Sequence, residues 1–204
     1  MGADNIIDKL KHEWEVLTGD AGKDKTFCSE QTYPSETEAQ AAFTRGLTKL
    51  FAVNSWSQLP GINSTFKLYD QQGQPTQTKP EPSYYIQIIL PGVNVENWVQ
   101  IENILEDDSS AQFTVHPCPN PLQESEETQH FFVKEASSTF RIERRGSSLF
   151  GYQIGKNEKI NNQDYQAGSR AFLNTLIAEG GWAGFQDIQW GKLTDYLAGK
   201  VDTV

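Results

Sequence analysis

The spacing of apolar residues predicts two amphipathic helices in the first quarter of the chain. The first is predicted over residues 4–18, and the loop chemistry of residues 19–34 follows it. Its apolar stripe consists of Ile6, Ile7, Leu10, Trp14 and Leu17. The second is predicted over residues 35–54, where Ser35 and Glu38 have the spacing of a capping box. Each helix therefore needs a partner for one face.

Between Thr65 and Ile154 the hydrophobic period changes to two, which is typical of strands with one buried face. Seven strands are predicted, over residues 65–70, 84–90, 97–105, 111–117, 129–135, 139–145 and 149–154. Most connections between them are too short for the crossover that parallel strands require. We therefore predict a seven-stranded antiparallel meander across residues 65–154.

The helical period returns near the C-terminus and predicts two further helices, over residues 162–179 and 182–198. The whole pattern is that of a single α+β domain over residues 1–204, with two N-terminal and two C-terminal helices packed on one face of the sheet. A curved antiparallel sheet closed by C-terminal helices resembles the cup-like lipid- and polyketide-binding folds in architecture. The residues themselves identify no family.

Composition narrows the choice of partners and compartment. The formal net charge is −10, which disfavours binding to nucleic acid or to anionic membranes and suits a basic protein partner. The chain has no long apolar run and no signal-peptide core at its N-terminus, so we expect no membrane association. Cys28 and Cys118 form no metal-binding or disulfide pattern. We expect a cytoplasmic protein.

The strand alternation also predicts a row of polar side chains across one face of the sheet. Centring the first long hairpin on Asp108 places Gln100 opposite His116, and the next two pairings extend the row. The predicted row reads Gln100, His116, His130 and Arg145, and its neighbour reads Gln112, Lys134 and Arg141. Arginine forks in such a row would bind an anion. The alternative is an ordinary solvated face, in which glutamates neutralise these cations.

The sequence contains no nucleotide-binding loop, catalytic motif or convincing third metal ligand. We therefore predict no cofactor and no metal, and we favour a non-catalytic protein. A protein-interaction module with an acidic surface is the first hypothesis. The second is a small-molecule carrier or sensor, with a pocket between sheet and helices and Arg141, Arg145, His116 or His130 at its mouth. An enzyme without a recognisable motif is the third. The sequence determines neither the ligand nor the oligomeric state.

Overall fold

A computed structural model of the chain describes residues 23–89, 96–124, 134–158 and 181–202. The predicted helices at residues 4–18 and 162–179 lie outside these ranges. So does most of the predicted strand at residues 129–135.

The described residues form one antiparallel sheet with helices, so the α+β class is confirmed. The elements are β1 Lys23–Thr32, α1 Glu36–Phe51, a 3₁₀ helix Val53–Gln58, β2 Thr65–Tyr69, β3 Tyr85–Ile89, β4 Glu96–Glu106, β5 Ser110–Pro117, β6 Ser137–Arg145, β7 Ser148–Glu158 and α2 Gly181–Leu197. The sheet has seven strands in the order β1-β7-β6-β5-β4-β3-β2. Strands β2 to β7 thus form a meander, and β1 pairs with β7 at one edge.

The prediction of two helices at each end is not borne out, because the described residues contain three helices in all. The predicted helix at 35–54 ends at Phe51, where Ala52 leaves the helical region with ψ 56°, and the 3₁₀ helix follows. None of the described helices is long and apolar enough to cross a membrane.

Strand β1 corrects the prediction of a loop over residues 19–34. Among the described strands it lies at an edge with β7 as its single neighbour, so it needs few apolar residues and gives little hydrophobic signal. Every second residue is exposed to solvent: Asp24, Thr26, Cys28, Glu30 and Thr32. This polar alternation explains why the sequence pattern resembles a loop.

The predicted strand at residues 129–135 is also corrected where it can be compared. Lys134 and Glu135 lie in a turn, and β5 pairs directly with β6 from Ser110–Glu143 to Val115–Ser138. No described strand therefore separates β5 from β6. The apolar run at residues 131–133 suggested a strand, but a short apolar run alone does not fix the type of element.

The core under α1 and the 3₁₀ helix is filled by aromatic side chains. Trp56 is fully buried, with its ring centroid 4.9 Å from that of Phe140, 5.6 Å from Phe66 and 5.9 Å from Phe113. Its indole N–H donates to the Lys49 carbonyl over 3.0 Å. Helix α1 adds buried apolar residues Ala39, Ala42, Phe43, Leu50 and Phe51.

Helix α2 lies on the same face and packs on β1 and β7. Its closest approach is at Gly151 of β7, where an added Cβ would lie 2.6 Å from the Thr194 carbonyl oxygen and 2.8 Å from the Leu197 Cβ. Ser29 of β1 bonds to Thr194 over 3.0 Å and donates to Asp195 over 2.7 Å. The C-terminal half of α2 is therefore held tightly against the sheet.

Both cysteines are free, and they differ in exposure. Cys118 is buried beside Trp98 and Tyr69, and burial raises the pKa of its thiol to about 12. Cys28 is exposed on β1. Because the thiolate is the reactive form, Cys118 carries about a thousandfold less of it near neutral pH than an ordinary thiol.

We expect one thiol per chain to react rapidly with Ellman's reagent at pH 8, and the second only after unfolding. A Cys28→Ser variant should lose the fast reaction, and a Cys118→Ser variant should keep it. Two fast thiols in the native protein would contradict the burial of Cys118.

Candidate functional site

The predicted polar row is only partly assembled. Gln100 lies directly opposite His116, so the register predicted for this pair is confirmed. The His116 Nδ1 lies 2.9 Å from the Ala136 carbonyl oxygen and its Nε2 lies 3.0 Å from the Glu102 carboxylate. Both ring nitrogens of His116 therefore lie within hydrogen-bond distance of an oxygen of the protein itself.

The other half of the predicted row consists of His130 and Arg145. His130 lies outside the described residues. Strands β5 and β6 are antiparallel neighbours, so the end of β6 lies beside the start of β5 and away from His116. Arg145 lies at this end of β6, opposite Ser148 in the β6–β7 hairpin. The placement of Arg145 in a single row with Gln100 and His116 is therefore wrong, and the position of His130 in that row stays a prediction.

The neighbouring row is also shorter than predicted. Gln112 lies directly opposite Arg141 and accepts a hydrogen bond from its guanidinium over 2.9 Å, without Lys134 between them. Arg141 also contacts Glu143 at 3.2 Å, and Arg145 donates twice to the same carboxylate at 2.8 and 2.9 Å. The bond from Arg145, with the nearby Arg141, holds the pKa of Glu143 below its usual value.

One carboxylate thus offsets much of the positive charge that was expected to attract an anion. A ligand-binding role for Gln100, His116, His130, Arg141 and Arg145 stays a prediction. No group of three or more His, Cys, Asp or Glu side chains within the described ranges is arranged to hold a metal ion.

A second set of polar side chains lies inside the protein, on the face that the helices cover. We call it the interior polar group, and it consists of Ser138, Gln153, Glu158 and Gln189. Gln153, Glu158 and Gln189 are each at most 1% exposed. Glu158 folds back beneath β7, where a Cβ at Gly155 would overlap its carboxylate.

The path of α2 over β7 indicates where Gln189 lies. The helix passes over Gly151 at Thr194. Four residues earlier, the Trp190 ring lies 5.8 Å from Phe140, which is the direct strand partner of Gln153. Gln189 is buried one turn before Leu193 and two turns before Leu197, so we infer that it faces the sheet in the region of Gln153.

The hydrogen bonding of these glutamines is incomplete. Gln153 donates to the Ser138 hydroxyl over 3.3 Å, but its carbonyl oxygen is buried and has no partner among the described residues. In the described part of the chain, neither the oxygen nor the nitrogen of the Gln189 amide has a partner. A buried polar group left unpaired costs about 1–3 kcal/mol. Three such atoms require a physical explanation.

Both glutamines occupy positions where the sequence pattern predicts a buried residue, although the predicted polar row did not include them. Gln153 occupies an inward position of β7 between Gly151 and Gly155. Gln189 lies four residues before Leu193, within the apolar stripe of α2. A polar residue in a buried stripe is more informative than one on a solvated face.

No protein-family model matches the chain, and no curated protein sequence matches it. Among solved structures, a hypothetical protein from Helicobacter pylori has a TM-score of 0.53 at 12% identity, over 90% of this chain and 92% of its own. The protein XoxI from Bacillus cereus has a TM-score of 0.42 at 13% identity, over 87% of this chain and 96% of its own. Norcoclaurine synthase from Thalictrum flavum, solved with dopamine and hydroxybenzaldehyde, has a TM-score of 0.39 at 11% identity, over 92% of this chain and 94% of its own. Only the first likeness is close enough to support the fold, and at this identity it shows nothing about activity.

Proposed function

We propose that this protein is a non-catalytic carrier or sensor that binds a small molecule between α2 and the sheet. The observation that supports the proposal is the set of unpaired, buried amide atoms of Gln153 and Gln189. Together they offer one amide nitrogen and two carbonyl oxygens, in a layer whose other buried polar side chains include Glu158. They would suit a mainly apolar molecule that carries a hydroxyl or amide group.

The position of the interior polar group also favours this proposal. The other half of the helix-covered face, around Trp56, is filled by aromatic side chains and leaves no need for a ligand. Ligand sites combine apolar walls with a few polar groups that fix orientation, and the layer beneath α2 has this composition. An ordered water is the alternative occupant, since water also pairs buried polar atoms.

The protein-interaction module with a basic partner stays a second proposal. Its support is the acidic net charge of −10. The large apolar side chains exposed on the described surface are Leu105, Leu122 and Val201, and they belong to three separate segments of the chain. An exposed apolar patch would have favoured this function.

Replacing Gln189 with methionine tests the carrier proposal. Methionine has a similar length and no group to satisfy, so we expect the ligand-free protein to gain about 1–3 kcal/mol in free energy of unfolding. We also expect native mass spectrometry of freshly purified protein to show extra mass on the wild type and less or none on Gln189→Met. Denaturant unfolding and the two mass spectra are the measurements.

Gln87 provides the matched control. It is buried like Gln189, but its side-chain oxygen accepts a hydrogen bond from the Tyr69 hydroxyl over 3.0 Å. Gln87→Met should therefore cost about 1–3 kcal/mol, since it removes the buried hydrogen bond from the Tyr69 hydroxyl. An apo mass for the wild type, together with a destabilised Gln189→Met, would contradict the carrier proposal. An apo mass with a stabilised Gln189→Met would favour water as the occupant.

A further inference from the structure

A cleft lies between α1 and the residues that follow α2, away from the interior polar group. Its volume is about 140 Å³, and its polar lining comes from Tyr33, Arg45, Lys49 and Asp202. Water occupies about 30 Å³ per molecule in the liquid, so the cleft has room for a small organic ion. No part of the polar row predicted from the sequence contributes to it.

Lys49 is fixed at one side of the cleft. Its ammonium group lies 2.6 Å from the Asp202 carboxylate, and it donates to the Val201 and Tyr196 carbonyl oxygens over 3.0 and 3.2 Å. It also lies 4.5 Å from the centre of the Tyr196 ring. The hydrogen bond from Lys49 lowers the pKa of Asp202, so this carboxylate stays ionised near neutral pH. The cleft therefore already accommodates one carboxylate.

Arg45 lies one helical turn before Lys49. Lys49 forms an ion pair with Asp202, whereas Arg45 forms none with the described residues. Within the described residues, no hydrogen bond or ion pair joins its guanidinium to another group. It is near enough to Tyr33 and Asp202 to act on both electrostatically. Two cations and one carboxylate leave the cleft with a charge of +1, in a protein whose net charge is −10.

The remaining wall of the cleft is rigid. The Tyr33 hydroxyl donates to the Ala198 carbonyl over 3.2 Å. Gly199 follows with φ +82°, a conformation that favours glycine, and a Cβ there would lie 2.5 Å from the Tyr33 hydroxyl oxygen. Tyr33 and this turn therefore hold each other in place beside the Arg45 guanidinium. A ligand would meet a preformed surface.

We propose that this cleft binds the carboxylate of a small organic acid, with the Arg45 guanidinium as its main donor. A guanidinium presents two parallel N–H groups that match the two carboxylate oxygens. Asp202 limits the choice of anion, because its negative charge opposes a doubly charged phosphate more than a single carboxylate. The site goes beyond the proposed carrier function, since it lies elsewhere and binds a different chemical group.

The test is a titration of ¹⁵N-labelled protein with sodium acetate and disodium succinate, followed by NMR. Acetamide and inorganic phosphate are the comparison solutes. We expect saturable shifts of the amides near Arg45, Lys49 and Gly199 with the carboxylates and no saturation with acetamide. Arg45→Gln should weaken carboxylate binding roughly tenfold, the loss expected for a hydrogen bond between charged groups. Asp202→Asn should strengthen it, since it removes the competing carboxylate.

Arg145→Gln is the matched control, because it removes an arginine that already bonds to Glu143. We expect unchanged carboxylate binding in this variant. Loss of binding in Arg145→Gln but not in Arg45→Gln would overturn the proposal and assign the anion to the outer face of the sheet. Absence of saturable shifts, or saturation by phosphate alone, would also overturn it. All three substitutions lie on exposed side chains, so the variants should fold.

Discussion

Replacing Trp56 with alanine is expected to lower the free energy of unfolding by about 3–5 kcal/mol. The side chain is fully buried and contacts the rings of Phe66, Phe113 and Phe140 at once. Alanine would remove this apolar area and leave a cavity that the surrounding rings fill only in part. Urea unfolding monitored by far-ultraviolet circular dichroism measures the loss without relying on tryptophan fluorescence.

Trp56→Phe separates the packing of this residue from its hydrogen bond. Phenylalanine keeps most of the aromatic contacts but loses the indole N–H that bonds to the Lys49 carbonyl. We expect it to cost well under half as much as alanine. A loss below about 1 kcal/mol in Trp56→Ala would mean that this part of the core collapses around the substitution. The aromatic layer would then not be the main stabilising contact of α1.

Local chemistry in the sequence predicted helix α1 and the alternation of strand β5 well. The N-terminal cap predicted at Ser35 is present, since the Glu38 amide donates to the Ser35 hydroxyl oxygen over 3.2 Å. The Glu38 carboxylate accepts from the same hydroxyl, a variation on the predicted capping box. Strand β5 alternates exactly as its residues suggest, with Ala111, Phe113 and Val115 buried and the residues between them half-buried. These features depend on neighbours in the chain, so one sequence is sufficient to predict them.

The errors arose where a structure depends on distant contacts. Strand β1 forms because β7 offers an open edge, and nothing in its polar composition indicates that partner. The polar row failed at Arg145 because the long connection to β6 does not fix a register. The pair Gln100–His116 was predicted correctly because parity across two strands joined by a short turn is a local rule. Gln112 and Arg141 were assigned to one row, but their direct pairing without Lys134 between them was not predicted.

The two candidate sites also combine features that are local in the sequence with contacts between distant segments. Gln153 and Gln189 are far apart in sequence, and we infer that they approach each other only from the path of α2 over β7. Arg45 and Lys49 are one turn apart on α1, but the predictions from the sequence did not include them. Their importance depends on Asp202, which lies more than 150 residues later. Helical periodicity cannot reveal such a contact.

Gly151→Val is the second substitution for which we expect a large effect, a loss of about 3 kcal/mol in free energy of unfolding. Valine is a better strand residue than glycine, so propensity alone predicts a gain of up to about 1 kcal/mol. The structure predicts the reverse, because an added Cβ would lie 2.6 Å from the Thr194 carbonyl oxygen and 2.9 Å from the Ala198 nitrogen. Backbone atoms cannot turn aside, so α2 would have to move away from β7.

Gly191→Ala in the same helix is the matched control for Gly151→Val. A Cβ at Gly191 would meet no atom within 4 Å, so alanine should stabilise the protein by about 0.5–1 kcal/mol through its helix propensity. If the proposed ligand lies beneath α2, Gly151→Val should also lose the bound mass in native mass spectrometry, while Gly191→Ala retains it. Equal stability of Gly151→Val and the wild type would show that α2 is not held against the sheet at this point. A destabilised Gly151→Val that kept its ligand would place the binding site away from the contact between α2 and β7.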